Sequence, residues 1–452
     1  MRSALRAAAV ALAAASLLAS CARPPVLRPA EPPPAMSRGE KPAPPVAQAP
    51  GSAAPVPASE PTIDVGLAWD LDSLVVLARG ARVSPPGREM VHYSDGVVRV
   101  AVVGGRLDWQ FQDGGRVVRH EPDEVASPDT LLIFATPPPR GGPLGWNGRT
   151  WRGDFKIFPS PRGRLTLVAR LPLETYLLGV VPGEIGGLTK DLIEAGRAQA
   201  VAARSYTLFY RGRRASEGFD LYGTVEDQVY GPVESERPLA TECIEQTRGT
   251  VALYDGQPIR ANYCSTCGGV SAEVWEAWPA AALPYLESRR DGEHGADFCA
   301  SSPQYRWRER WSEEEFLDNI EHFGPAQKLR LPPDGLGDLV DVRAEARSRS
   351  GRVWRLLVRT TTGDVTIPSY AIRGVLRRGG NPGAILRSSL FKIDVRRHPV
   401  TGRAMEVLAS GAGSGHGVGL CQTGALGMAR AGAKAEEILE HYYPHSVLER
   451  LY

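Results

Sequence analysis

A mixed, strand-rich α+β fold is what this sequence predicts, with one long helix following a glutamate-bearing motif and another near the C-terminus. Three observations predict it. Short alternating runs rich in Val, Ile, Leu and Thr crowd the segment from Thr62 to about Leu173. The period then changes: Leu192, Ala195, Gln199, Ala203 and Tyr206 fall on one helical stripe between Thr189 and Gly212. Strand-like runs return afterwards in bunches instead of alternating with helices, which argues against a parallel α/β architecture.

The first 21 residues stand outside that fold. Arg2 and Arg6 precede an apolar run, Ala7 to Leu18, that is too short to span a bilayer and reads as an export signal. It ends in Leu18-Ala19-Ser20-Cys21, which resembles a bacterial lipoprotein processing site with Cys21 as the acylated residue; an ordinary signal with a chance cysteine is the competing reading. Ala22 after the cysteine favours the outer membrane within that class, giving an exported, periplasmic, lipid-anchored protein. From Ala22 to Pro61 about a third of the residues are proline, a composition that cannot bury a core and makes an extended tether. The expected organisation is therefore a leader (1–21), a tether (22–61), a mainly β region (62–158) and a larger domain (159–452) with an inserted α/β segment at about 305–400.

Within the folded part, strands are expected at Asp64–Ala68, Leu74–Leu77, Val97–Val103 and Thr130–Phe134, then in the run ending LTLVARLPL. Thr189 is the expected N-cap and Gly212 the expected C-cap for the helix that follows, and Arg204, Arg211, Arg213 and Arg214 cluster near its end, where the helix dipole favours cations. A strand at Gly249–Tyr254, an amphipathic helix at Ser312–Phe323 and strands at Leu339–Val342, Val353–Thr360 and Phe391–Val395 complete the pattern. Fifty-three basic against 51 acidic residues leave a net charge of +2, so electrostatics give no reason to expect nucleic acid as a partner.

Three segments carry chemistry. Glu184 follows Val180, Val181 and Pro182 and precedes Ile185; a carboxyl in such company is poorly solvated, its pKa rises, and it can serve as a general acid, although a surface glutamate at a helix entrance has the same local sequence. Cys264-x2-Cys267, followed by His294-x4-Cys299, supplies four donors suited to tetrahedral zinc, with a Cys267–Cys299 disulfide as the alternative. In either form the role is structural, because no ligand position stays open for water. Five cysteines follow Cys21, an odd number for an exported chain; Cys243 and Cys421 read as small buried hydrophobes. The third segment, Gly411 to Pro444, alternates five glycines around His416 before a helical pattern, with Gln422 and Thr423 at the junction, and reads either as a ligand-approaching loop or as a hinge. Glu174, Asp227 and Glu234 are weaker second carboxylates, and Trp275 and Trp278 are candidates for stacking on sugars or for the core.

These segments together resemble the stage II sporulation protein D family, which also includes enhancers of autolytic amidases. The resemblance rests on five motifs in one order: GVVPGEI (179–185), AGRAQAVAARSYTL (195–208), DQVYGPVESE (227–236), YCSTCGG (263–269) and GHGVGLCQTGA with EILEHYYP after it. It implies a lytic transglycosylase acting on peptidoglycan glycan strands, peptide-stripped strands being the expected form, with Glu184 as the acid that later acts as base. Arg204, Tyr206, Gln228, Tyr230, His416 and Gln422 are expected to line the glycan cleft. The alternative is a non-catalytic module that binds peptidoglycan and stimulates a cell-wall amidase. Cys264 stands where relatives often carry histidine, Cys421 where serine is usual, and Thr423 where an aromatic residue is common.

Overall fold

A computed structural model describes residues 58–86, 92–120, 130–139, 141–293 and 295–452. The leader with Cys21 and residues 22–57 of the tether lie outside these. The described chain is α+β and rich in strands.

The alternating runs after Thr62 form two sheets. One has seven strands, with Thr62–Leu71, Leu165–Pro172 and Asp154–Pro159 adjacent at its middle; the other has six, built around Ser73–Leu77, Val97–Val103 and Arg106–Asp113. Period two is visible in burial: Leu107, Trp109 and Phe111 point inward while their neighbours face solvent. Inner-face residues of both sheets, among them Val76, Trp109, Ile133, Phe155 and Leu167, share one core with the helices that follow.

The strand Leu165–Pro172 runs straight into a helix, α1 (Leu173–Glu184). Sequence reading takes Tyr176–Ile185 as a junction. The helix hides because Leu173, Tyr176, Leu177, Val180 and Val181 are all fully buried, so no polar stripe marks the 3.6-residue period, and Pro182 in its last turn looks like a breaker. The second helix, α2 (Ile193–Tyr210), lies within the span read from its stripe. Its buried face is largely alanine (Ala195, Ala198, Ala202, Ala203), which lets α1, α3 (Pro238–Gln246) and the Ala435–Tyr442 helix approach closely. Thr189 does not cap α2; it heads a one-turn 3-10 segment, Lys190–Leu192, and its hydroxyl donates to Asp191 at 2.6 Å.

A second core lies between Trp307 and Ala409. Two three-stranded antiparallel sheets frame it: Arg306–Ser312, Ala404–Ala412 and Phe391–Arg397, and Leu339–Arg347, Val353–Thr360 and Asp364–Pro368. Glu313–Phe323 covers it, with the Ser312 hydroxyl accepting the Glu315 N–H at 3.0 Å as a side-chain N-cap. Beyond the glycine run come the helices Gln422–Arg430 and Ala435–Tyr442, then a closing strand, Val447–Arg450, that pairs with Thr250–Tyr254.

Candidate active site

Glu184 is the last residue of α1, half-buried, where the helix dipole opposes negative charge. Three other motifs meet it there. The backbone N–H of Val229 donates to Oε1 at 3.4 Å, and Gln422 Nε2 donates to Oε2 at 3.3 Å. The Tyr263 hydroxyl also reaches the carboxylate. Burial pushes the carboxyl above its ordinary value, and these three hydrogen bonds only partly oppose it. Burial, helped by the Glu184 charge, holds the Tyr263 phenol far above its usual range, so it stays a donor. None of the groups that hydrogen-bond to Glu184 is a second carboxylate.

Gln228 is a hub beneath this point. Its Oε1 accepts from Thr207 at 2.7 Å and from Tyr176 at 3.3 Å, while its Nε2 donates to the Tyr263 hydroxyl at 2.8 Å. At 1% exposure it orders α1, α2 and Tyr263 and is not available to a ligand. Tyr230 is likewise internal, leaning on Tyr176 and Trp151 and seated over Gly179, where a Cβ would come within 2.5 Å of its ring. Arg204 departs furthest from the expected cleft role. It is fully buried and doubly bonded to Glu174, at 2.8 and 2.7 Å, with a further bond to the Thr250 carbonyl. Burial works upward on Glu174, but Arg204, Tyr452 and the Gly249 N–H outweigh it and hold the carboxyl below its usual value. A guanidinium enclosed in this way ties α2 to α1 and to the closing strands. Tyr206 is nearly buried, packed on Tyr210 and Tyr263.

From Tyr206 a row of partly exposed groups continues outward: Tyr210, Arg260 at 5.7 Å from its ring, Trp278 at 4.7 Å from the same guanidinium, then His416 at 4.7 Å from Trp278. His416 Nδ1 accepts the Val418 N–H at 3.0 Å, which assigns the proton to Nε2. Burial, aided by Arg373 and Arg260, holds this imidazole well below its ordinary value, so it is neutral. Rings interleaved with cations suit the faces and hydroxyls of sugars. Tyr210, Arg260 and Tyr263 are not among the residues picked from sequence. Tyr263 carried a signal, being the first residue of the YCSTCGG motif; Arg260 and Tyr210 carried none.

The glycine run allows close approach of another segment and not only of a ligand. Gly417 has φ +81°, and a Cβ there would lie 2.0 Å from Arg352 Nη2. Arg352 comes from the second core, is buried, and donates to the carbonyls of Cys267 at 2.9 Å and Val270 at 3.1 Å. One side chain therefore clamps the cysteine turn to the histidine loop.

The cysteines converge, although not as the expected quartet. Sγ of Cys267, Cys299 and Cys421 and an oxygen of Asp291 all lie within 4.8 Å of one another. Cys264 pairs in register with Cys421 across two short parallel strands, and their thiols are in contact. His294 lies outside the described residues. All five cysteines after Cys21 are free thiols, and the Cys267 and Cys299 sulfurs are 3.7 Å apart. That is far beyond a disulfide bond. It is close to the ~3.8 Å between thiolates sharing a tetrahedral zinc at ~2.3 Å per bond. Cys421 also accepts the N–H groups of Cys267 at 3.1 Å and Gly424 at 3.3 Å, contacts that favour a thiolate. Asp291 is held by the Tyr442 hydroxyl and by the Cys299 N–H at 3.1 Å. The donor set thus fits a soft divalent metal, with Cys421 and Asp291 in places that sequence spacing did not show. Cys243 stands apart in contact with α2.

Of the weaker candidates, Asp227 is ion-paired with Arg213 at 2.9 Å and Arg214 at 3.5 Å, and Glu234 accepts from the Thr150 N–H at 3.0 Å. Trp275 donates to Glu273 at 2.6 Å and meets Trp354 edge-on, away from His416's partner Trp278. These are structural placements.

Residues 161–254 match the family described as Stage II sporulation protein, and residues 295–419 match a domain of unknown function. Stage II sporulation protein D of Bacillus subtilis (strain 168) is 25% identical over 316 residues, covering 67% of this chain and 81% of that protein. An uncharacterised protein of Brachyspira hyodysenteriae is 26% identical over 305 residues, 66% of this chain and 72% of its own length. The amidase enhancer of Bacillus subtilis (strain 168) is 26% identical over 307 residues; the match covers 60% of this chain and only 40% of the enhancer. Four motifs that meet at one carboxyl, together with these matches, support kinship with the stage II sporulation protein D family.

Proposed function

We propose that the protein is a peptidoglycan lytic transglycosylase with Glu184 as its acid and base. The observation that carries this reading is a single carboxyl of raised pKa, held by donors from three other motifs at the end of a row of aromatic and cationic groups. Glu184 would donate its proton to the glycosidic oxygen between N-acetylmuramic acid and N-acetylglucosamine, releasing the latter's hydroxyl. The muramic C6 hydroxyl would attack C1 and return its proton to the Glu184 carboxylate, closing a 1,6-anhydro ring. Hydrolysis of a glycoside ordinarily needs a second carboxylate; this intramolecular route needs one residue in two roles. Incubating the protein with intact and with peptide-stripped glycan strands, and weighing the products, tests it: anhydro ends support the reading, and unaltered strands of both kinds reject it.

A second reading, a peptidoglycan-binding enhancer of a cell-wall amidase, is favoured by the match to a relative named amidase enhancer. It predicts binding to glycan without new anhydro ends. Under either reading zinc would be structural, held by Cys267, Cys299 and Cys421 with Cys264 or Asp291 as the fourth donor. Acylation at Cys21 would hold the protein to a membrane facing the periplasm, with the proline-rich segment as its reach; loss of membrane association in Cys21→Ser is the expected result, and unchanged association would reject the anchor.

A further inference from the structure

An open cleft of about 830 Å³ lies where the second core meets the cysteine turn. Its walls carry Arg306, Arg308, Arg347 and Lys392, all exposed, and its floor is apolar, with Leu390 and Phe391. Strand register explains the crowding of charge. Arg308 and Lys392 both pair with Ser410, one from each side, so two cations flank the same central residue. Neighbouring strands lie ~4.8 Å apart, which sets these side chains ~10 Å from each other across the sheet.

The rest of this sheet face is neutralised. Glu406 takes Arg310 at 3.4 Å and Arg396 at 3.3 Å. At the cleft end none of the four cations has a carboxylate partner among the described residues, and Arg308 and Lys392 make no side-chain hydrogen bond there either. Arg306 and Arg347 are instead steadied by backbone carbonyls, at Gly268 and Gly351. Unpaired like charges repel one another, and an anion placed among them relieves the repulsion. A guanidinium is the shape partner of a carboxylate, and the apolar floor suits a ligand with aliphatic parts between its charges. Gly268 lines the cleft, while Tyr263 in the same short segment reaches Glu184. The cleft and the candidate active site are therefore joined by six residues of chain.

We propose that this cleft binds the free carboxylates of peptidoglycan stem peptides, short acidic peptides carried on the same polymer whose glycan occupies the Glu184 site. This rests on the reading of the substrate as peptidoglycan, but not on the reaction at Glu184. Peptide-bearing strands would be retained here while a stripped stretch is cut.

Binding of the purified full-length protein is measured to peptide-bearing strands, to the same strands with carboxylates amidated, and to peptide-stripped strands. Carboxylated strands are expected to bind on the order of tenfold tighter than amidated ones at low salt, with the difference shrinking as salt rises. In Arg308→Gln/Lys392→Gln, two exposed positions whose replacement leaves both cores intact, that difference should vanish while peptide-stripped strands bind as before. Equal binding of carboxylated and amidated strands by the wild type, or a preference that persists in the double variant, overturns the proposal. Stronger competition from a phosphodiester polymer than from an acidic peptide also overturns it. If no anhydro ends form yet the carboxylate preference follows Arg308 and Lys392, the transglycosylase reading falls and the cleft assignment stands.

Discussion

Glu184 shows how burial of one side chain makes stability depend on pH. Its folded pKa lies above the ordinary carboxylate value because burial disfavours the charged form. The sign of the linkage follows. The folded chain holds this proton more tightly than the unfolded chain, so the contribution is favourable at low pH and is lost as pH rises through the raised value. At neutral pH Glu184 is therefore a small liability. Glu184→Gln should raise the melting temperature at neutral pH, by on the order of 1 °C for a chain of this size, and the gain should disappear below about pH 4. A lower melting temperature for Glu184→Gln at neutral pH would mean the carboxylate is favourably paired. The sequence made this much legible, since apolar neighbours on both sides of a glutamate already imply poor solvation. It could not show that Arg204 is buried, because an arginine at the polar edge of a helical motif looks the same whether its partner is substrate or Glu174.

At the scale of elements, the close contact between the glycine loop and the second core ties that loop to the cysteine turn. Gly417 needs its positive φ, and Arg352 fills the place a Cβ would take. Gly417→Ala should lower stability by about 1–3 kcal/mol through backbone strain and displacement of Arg352, read by denaturant titration. Because Arg352 also holds the Cys267 and Val270 carbonyls, the same variant should lose activity beyond its loss of folded protein. Activity per folded molecule equal to that of wild type would show that Arg352 holds the cores together without positioning the loop. Elements with one solvated face were legible: the strands after Thr62 and the Ser312-capped helix fall where their periods put them, and α2, although buried from Ala198 to Leu208, falls within the span of its stripe. Helix α1 was not, since a helix buried on all sides has no polar stripe, and neither was the short final strand, whose pairing with Thr250–Tyr254 is a property of the whole fold.

The whole molecule brings together what lies far apart in sequence. Glu184 and Gln422 are separated by 238 residues, and Cys267 and Cys421 by 154. Spacing arithmetic found the local Cys264-x2-Cys267 pair and missed Cys421 and Asp291, because only the closed fold sets them beside Cys267 and Cys299. If these residues hold zinc, the purified protein should contain about one equivalent, and chelation should lower its melting temperature by several degrees, since metal binding to the folded state alone is folding free energy. A metal-free protein of unchanged melting temperature would return the cluster to the role of a packed thiol core.

The most direct test compares wild type with Glu184→Gln on peptide-stripped glycan strands, counting 1,6-anhydromuramic ends by mass spectrometry while strand binding is followed in parallel. A transglycosylase that uses Glu184 as acid and base should lose about two to four orders of magnitude in rate on this substitution, with binding nearly unchanged. Anhydro ends forming at close to the wild-type rate in Glu184→Gln would contradict it.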